Sequence, residues 1–338
     1  MKVLVLVGGD SNERAVSLNS GAAICKALLK LGHEVQALDS GTGQSLIDAK
    51  GRLLLEGGRA PYDTPSIVSY EPGALVKSMT TDYRDVDVVV LALHGGKGEN
   101  GSIQNLLDLA GKKYTGSGMT ASAVAMDKAL AKRVMASVNV PTPEWRLFRL
   151  AAGQSQESIA RQIGESLDLP LIVKPNDGGS TIGLTKVTEK SQLPEAVRQC
   201  VAHSREILVE RFIPGRELTV TVFDSRAYPL VEIKPKSGLY DYEAKYTKGK
   251  SEYIAPADVP VRLAREMQAA AVAVFDAIGC AGLSRVDFIL DPEDRFYCLE
   301  INTLPGMTGL SLAPMAFKCE GIEFEQLMAM ILESALKH

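Results

Sequence analysis

The chain opens on "KVLVLV", Lys2 to Val7, an apolar run entering a Gly-Gly turn. It predicts a first strand. "SLNSGAAICKALLKLGH" follows with helical spacing, closed near Gly32, and "EVQAL" predicts a second strand. "DVVVLALHGG" is a continuous apolar run ending in glycines, the pattern of a buried parallel strand. This alternation predicts a doubly wound α/β sheet. Residues 40–68, rich in Gly, Ser, Pro and Asp, form an irregular excursion with no assigned role. "ASAVAMDKALAKRVMASVNV" predicts one helix, stopped by "PTPEW". Beyond it the pattern shifts to hairpins: "LPLIVKP" with "TIGLTKV", "EILVERF" with "ELTVTVF", and a last pair inside "RVDFILDPEDRFYCLEIN". Three α/β lobes are expected, residues 1–120, 121–208 and 209–338.

The last pair raises a question of charge. With a turn at Pro292 to Arg295, Asp291 pairs with Phe296, Asp287 falls opposite Glu300, and Arg285 opposite Asn302. Val286, Phe288 and Ile301 take the other face. Carboxylates directly opposite each other repel. Either Arg285 neutralises them on a solvated face, or a cation lies between them. All-oxygen donors from Asp287, Glu300 and Asn302 would select a hard ion such as magnesium.

"KPNDGGSTIG", Lys174 to Gly183, joins two short strands through glycines 178, 179 and 183. Such a loop can turn backbone N–H groups, the hydroxyls of Ser180 and Thr181, and the Lys174 charge onto a phosphate. It can equally be a plain glycine-rich hairpin. "ERFIPGRE" adds Glu210 and Glu217 as candidates for adenine and ribose, and together these parts describe an ATP site. Two matches are decoys. "GKS" at Gly249–Ser251 lacks the glycine five residues earlier, where Ala244 stands. "GSGMTA" at 116–121 does not open a strand-helix-strand unit with an acid about 20 residues on.

Composition narrows the classes. The 338 residues are 46% hydrophobic and 23% charged, ordinary for a soluble globular protein. Lysine and arginine number 37 against 41 acids, a net charge of −4 that offers no basic face for nucleic acid. No apolar run reaches the roughly 18 residues of a membrane span, and the N-terminal run is too short for a secretory signal. The cysteines, at 25, 200, 280, 298 and 319, form no C-x-x-C pair, which fits a reduced cytoplasmic protein.

Nine motifs occur in one order: "GGDSNERAVSLNSG", "LHGGKGENGSIQ", "YTGSG", "AMDKALAK", "VKPNDGGSTIG", "VERFIPGRE", "YDYEAKY", "RVDF" and "EINTLPGMTGLSLAP". With them the chain resembles the D-alanine–D-alanine ligase family of the ATP-grasp superfamily, from Lys2 to about Leu336. The resemblance implies a three-lobed ATP-grasp architecture: an N-terminal Rossmann-like substrate lobe, a central lid lobe and a C-terminal catalytic lobe. It implies phosphorylation of one D-alanine by ATP, attack by the amine of a second, and a place in peptidoglycan precursor synthesis. Lys128, Lys174, Gly179 and Ser180 would contact phosphates. Glu210 and the backbone of Arg211, Phe212 and Ile213 would read adenine, with Glu217 on ribose. Asp287, Glu300 and Asn302 would bind two Mg²⁺ or Mn²⁺ ions. Arg285 and the Gly306 N–H would form an oxyanion site. Glu13, with His94 nearby, would hold the first substrate, and Lys245, Ser311 and the Leu312 backbone would complete substrate binding. Ser180, Tyr246 and Glu13 would link to close the "YDYEAKY" loop and exclude water. A homodimer is also implied. The chain departs from the family pattern at Asn100, Gly178, Thr181 and Leu310, none of them on this list of ligands.

Overall fold

A computed structural model describes residues 1–48, 79, 82–179, 182–235, 250–309 and 311–337. Strand β1 (Lys2–Val7) lies between β2 (Glu34–Asp39) and β3 (Val88–Leu91), all parallel, in the order β2-β1-β3. Val3 to Leu6 are wholly buried, which is why the first strand reads as an unbroken apolar run. The helix Arg14–Lys30 packs on β1 through Gly21, where a Cβ would come within 2.2 Å of Val7 Cγ1. It ends as expected, with Gly32 at φ +80° just beyond its last turn.

The first sheet does not bury its apolar surface alone. Val3, Val5, Leu28 and Val90 share one core with Phe223, Tyr228, Phe317, Leu327 and Met328. The C-terminal helices Leu312–Lys318 and Phe324–Lys337 therefore close over the N-terminal sheet.

A second sheet holds β4 (Trp145–Arg149), β5 (Leu171–Pro175), β6 (Thr185–Val187) and β7 (Glu206–Arg211), in the order β4-β7-β5-β6. The helices Gln156–Ser166 and Leu193–Val201 give it a separate core. The third sheet holds β8 (Arg216–Phe223), β9 (Arg226–Ala227), β10 (Val231–Pro235), β11 (Ser251–Ile254), β12 (Leu283–Leu290) and β13 (Phe296–Asn302). Its order is β11-β10-β8-β12-β13, with β9 paired to β8. The helix Val261–Ile278 covers one face.

The structure corrects the sequence reading in places that shape the site. The single helix expected around residue 127 is two, Met119–Met126 and Lys128–Ser137. Asp127 leaves helical geometry at ψ 97° and caps the second helix by accepting from the Leu130 N–H. Asn176 stabilises the break: its Oδ1 accepts from the Ala129 N–H at 2.8 Å and its Nδ2 donates to Asp127 at 2.9 Å.

"EILVERF" and "ELTVTVF" are not a hairpin, for β7 and β8 belong to different sheets. β7 runs unbroken past 208 to Arg211 because β4 and β5 pair along its length. The chain changes sheet over residues 212–215, where Gly215 passes so close to β12 that a Cβ would sit 2.2 Å from the Leu290 carbonyl oxygen.

In the last hairpin Leu290, rather than Asp291, pairs with Phe296. Asp291 instead organises the turn, accepting from the N–H groups of Glu293 and Arg295. A bulge between Asp287 and Phe288 then shifts the register, so that Asp287 does face Glu300 and Arg285 faces Asn302. Val286, Phe288 and Ile301 are core residues, as expected. Among the described residues no helix is long and apolar enough to cross a membrane.

Candidate active site

A cleft of about 1010 Å³, its open mouth included, lies where the second and third sheets meet. Lys128, Lys174, Gly179, Glu210, Arg211, Phe212, Ile213 and Glu217 all line it, as does Glu300. The sequence reading named the polar groups and missed the apolar walls, formed by Pro143, Ile172, Ile182, Leu184, Ile289 and Leu299. Ile172, Ile289 and Leu299 come from strands of both sheets and the other three from connecting segments, so no local pattern marks them. Lys186 Nζ lies 3.6 Å from the centre of the Phe212 ring, fixing that ring at the sheet-changing segment.

The charges inside the cleft are shared. Glu210 is 2% exposed and sits between two ammonium groups, Lys174 Nζ at 2.7 Å and Lys132 Nζ at 2.5 Å. Burial would raise its pKa, but the two lysine charges outweigh burial and bring it down to about 2. Burial likewise works against the Lys174 charge, and Glu210 and Glu300 more than restore it. Glu210 was expected to read adenine; both of its oxygens are instead against lysines. Lys128 Nζ donates to the Gly178 carbonyl at 2.5 Å and lies 3.6 Å from Glu300.

A smaller space of about 340 Å³ adjoins the cleft, and Lys128, Gly178, Gly179 and Glu300 border both. Glu99 and Asn302 line only this inner chamber. The facing acids of the hairpin are each met by a cationic side chain. Arg285 holds Asp287 through two hydrogen bonds of 2.8 Å, and Asp287 also accepts from Thr219 at 2.7 Å and Asn302 at 3.0 Å. Glu300 leans toward Lys128. Arg285 thus neutralises Asp287, but on a buried face rather than the solvated one of the simpler reading. Glu300 and Asn302 still present hard oxygen donors to the chamber.

The N-terminal sheet contributes the other wall. Glu13 precedes the helix Arg14–Lys30, and its Oε2 is wedged between two glycines. A Cβ on Gly95 would lie 2.6 Å from that oxygen, and one on Gly179 2.4 Å. The glycine-rich loop therefore reaches the first lobe. Glu99, which the sequence reading left unassigned, accepts from the N–H groups of Gly95 at 3.0 Å and Leu304 at 3.3 Å. Burial and the Glu13 charge raise its pKa to about 7, against the pull of those N–H groups and Arg285.

His94 is buried with both ring nitrogens engaged. Nδ1 lies 2.9 Å from the Leu304 carbonyl, so Nδ1 carries the proton. Nε2 then accepts from Ser20 Oγ at 3.1 Å, and Ser20 accepts from the Met307 N–H at 3.2 Å. Burial lowers the His94 pKa, consistent with a neutral ring. His94 lies within reach of the Glu13 charge and bonds to the Leu304–Met307 turn. Gly306 lies within that turn; a Cβ there would meet Ser311 Oγ at 2.9 Å. Ser311 Oγ accepts from the Thr308 N–H at 2.9 Å, and Leu312 is buried in the shared core. Ser180, Lys245 and Tyr246 lie outside the described residues.

Two family models match the chain: D-ala D-ala ligase N-terminus over residues 2–117 and D-ala D-ala ligase C-terminus over residues 134–333. A D-alanine–D-alanine ligase of Gloeobacter violaceus is 42% identical, covering 99% of this chain and 100% of its own. One from Syntrophotalea carbinolica is 40% identical, covering 99% and 96%. Among solved structures, the VanG D-Ala:D-Ser ligase of Enterococcus faecalis superposes with TM-score 0.82 at 30% identity, covering 99% of each chain. The D-alanine–D-alanine ligase of Bacillus anthracis complexed with ATP gives 0.76 at 26%, covering 100% of this chain and 98% of that one. With family models matching residues 2–117 and 134–333 and relatives alike from end to end, the chain belongs to the D-alanine–D-alanine ligase family.

Proposed function

We propose that this protein joins two D-alanines into D-alanyl-D-alanine at the expense of ATP. One observation carries the reading: the open cleft and the inner chamber share Lys128, Gly178, Gly179 and Glu300 as a common wall. A triphosphate in the cleft would bring its terminal phosphate to a chamber lined by carboxylates and backed by Arg285. The carboxylate of the first D-alanine takes that phosphoryl group, leaving ADP. The amine of the second then attacks the acyl carbon, the N–C bond forms, and phosphate departs.

In this reading Lys128 and Lys174 bind phosphate, and Glu217 binds ribose. The apolar walls and the Arg211–Ile213 backbone take adenine. Glu13 holds the first substrate's ammonium. Arg285, its plane set by Asp287, and the Gly306 N–H stabilise the oxyanion of the tetrahedral intermediate. His94 acts by fixing the turn that carries Gly306. Ser311 and the Leu312 N–H, at the start of a helix, take the second carboxylate. Ser180, Lys245 and Tyr246 are assigned to closure and substrate by resemblance alone. Asp287, Glu300 and Asn302 suit Mg²⁺ or Mn²⁺ by donor type; bound there, the ion would supply positive charge to the transferring phosphoryl group. The three lobes proposed change from the second to the third within 212–215.

ADP release measured with D-alanine, L-alanine, D-serine and D-lactate, with products weighed by mass spectrometry, tests the reading. D-alanyl-D-alanine is the expected product. D-alanyl-D-serine as the main product of mixed substrates would overturn the acceptor assignment, and no ADP with D-alanine would overturn the reaction.

A further inference from the structure

Among the described residues Lys132 is the largest charged side chain that is buried completely, and the cleft does not include it. A fully buried lysine is rare because its ammonium must leave water, and several kcal/mol of desolvation must be offset by its partners. The position has an apolar setting, between Ala131 and Met135 on the buried face of the helix Lys128–Ser137. An aliphatic residue would satisfy the packing there. The partners instead serve the charge: Thr142 Oγ1 accepts from Nζ at 2.5 Å, and Glu210 Oε1 lies 2.5 Å away. The other oxygen of Glu210 holds Lys174, which does line the cleft.

We propose that Lys132 is a positioning residue for the nucleotide, acting through Glu210 on Lys174. The proposal rests on the ATP reading of the cleft. Its physical basis is a charge count. Burial works against the Lys132 charge, and Glu210 acts to restore it; with both lysines protonated the three groups carry a net +1, so the cluster presents a positive charge to phosphate. Without Lys132, Glu210 faces Lys174 alone and the pair is neutral. Lys174 is then bound to a carboxylate that no second ammonium holds, and it is a poorer phosphate ligand. Lys132 also stands one turn beyond Lys128, so one helix sends one ammonium to the cleft and another behind it.

The test compares Lys132→Met with the double variant Lys132→Met/Glu210→Gln, in which Lys174 regains an unshared charge. ATP and D-alanine KM values are measured with kcat, and a non-hydrolysable ATP analogue is titrated by calorimetry. For Lys132→Met, the ATP KM and the analogue Kd should rise about tenfold, with the D-alanine KM within about twofold. The double variant should return to within about threefold of wild-type analogue affinity. A merely structural lysine would lower the melting temperature of both variants without this split or this rescue. Unchanged analogue affinity in Lys132→Met, an equal loss for D-alanine, or a double variant no better than the single overturns the proposal. So does failure of both variants to fold. If Lys132→Met alone fails to fold, the double variant decides on the same threefold criterion. If wild type ligates D-alanines with ATP but the variants show none of these changes, this inference alone is broken. Wild type that does not bind the analogue breaks the ATP reading as well.

Discussion

Glu99 and Glu210 are two carboxylates enclosed by the same fold, and they are driven in opposite directions. Glu210 is pulled down to about 2 although burial opposes its charge, because Lys132 and Lys174 reach it from a helix and from β5. Glu99 keeps only an edge open to the inner chamber and is pushed up to about 7 by burial and by the neighbouring Glu13. Its hydrogen-bond donors are the backbone N–H groups of Gly95 and Leu304, and the Arg285 guanidinium is already turned to Asp287. Depth alone sets neither charge state; the cations that converge on each oxygen do. The cleft is thus built for fixed charge. The inner chamber is lined by a carboxyl whose pKa is raised to about 7.

The contrast breaks most sharply at Glu210. Glu210→Gln leaves two buried ammonium groups without their carboxylate and should cost about 3–5 kcal/mol of stability, read by urea unfolding at pH 7. The sign with pH follows from the depressed pKa. The wild-type contribution is full above the ordinary carboxyl value of 4.5 and is lost as pH falls through about 2. The variant should therefore show a flatter acid limb, and an acid limb as steep as wild type would refute the shared-lysine account.

Glu300 stands where the two regions meet. Glu300→Gln should lower kcat on the order of 10²-fold while the melting temperature stays near wild type, since its proposed role is toward phosphate and metal rather than the core. Near wild-type turnover at saturating magnesium would remove Glu300 from that role.

Glu99 sharpens the opposite side. Its raised pKa means the protonated form is favoured by folding, so its contribution is full below pH 4.5 and is lost as pH rises through about 7. Wild type should lose about 1–3 kcal/mol of stability between pH 5 and pH 8 from this group, and Glu99→Gln should remove that slope. Parallel stability-versus-pH curves for the two proteins would show that Glu99 does not titrate in this range. The smallest effect is expected from Thr142→Val, which takes one acceptor from Lys132. It should cost about 0.5–1.5 kcal/mol by thermal unfolding and leave the ATP KM within about threefold.

By itself the sequence determined the elements whose pattern is local. β1 and β3 are apolar on both faces, Gly32 closes its helix, and the alternation in "RVDF" and "LEIN" sets Val286, Phe288 and Ile301 into the core. The motif order also carried the family, because glycines and charges that must meet a ligand are spaced by that ligand. What only the tertiary structure decided depends on groups brought from distant segments. Asn176 splits the helix at Asp127, pairing along β7 moves the sheet change past Arg211, and a bulge makes the register right at the acids though wrong at the turn. The same holds for charge: Lys132 reads as one of several solvated helix lysines until Glu210 is folded against it, and Glu99 reads as a loop acid until Glu13 and the Leu304 N–H close around it. Patterns along the chain encode which face is dry, whereas desolvation and Coulomb energy depend on distances that exist only once the lobes are packed.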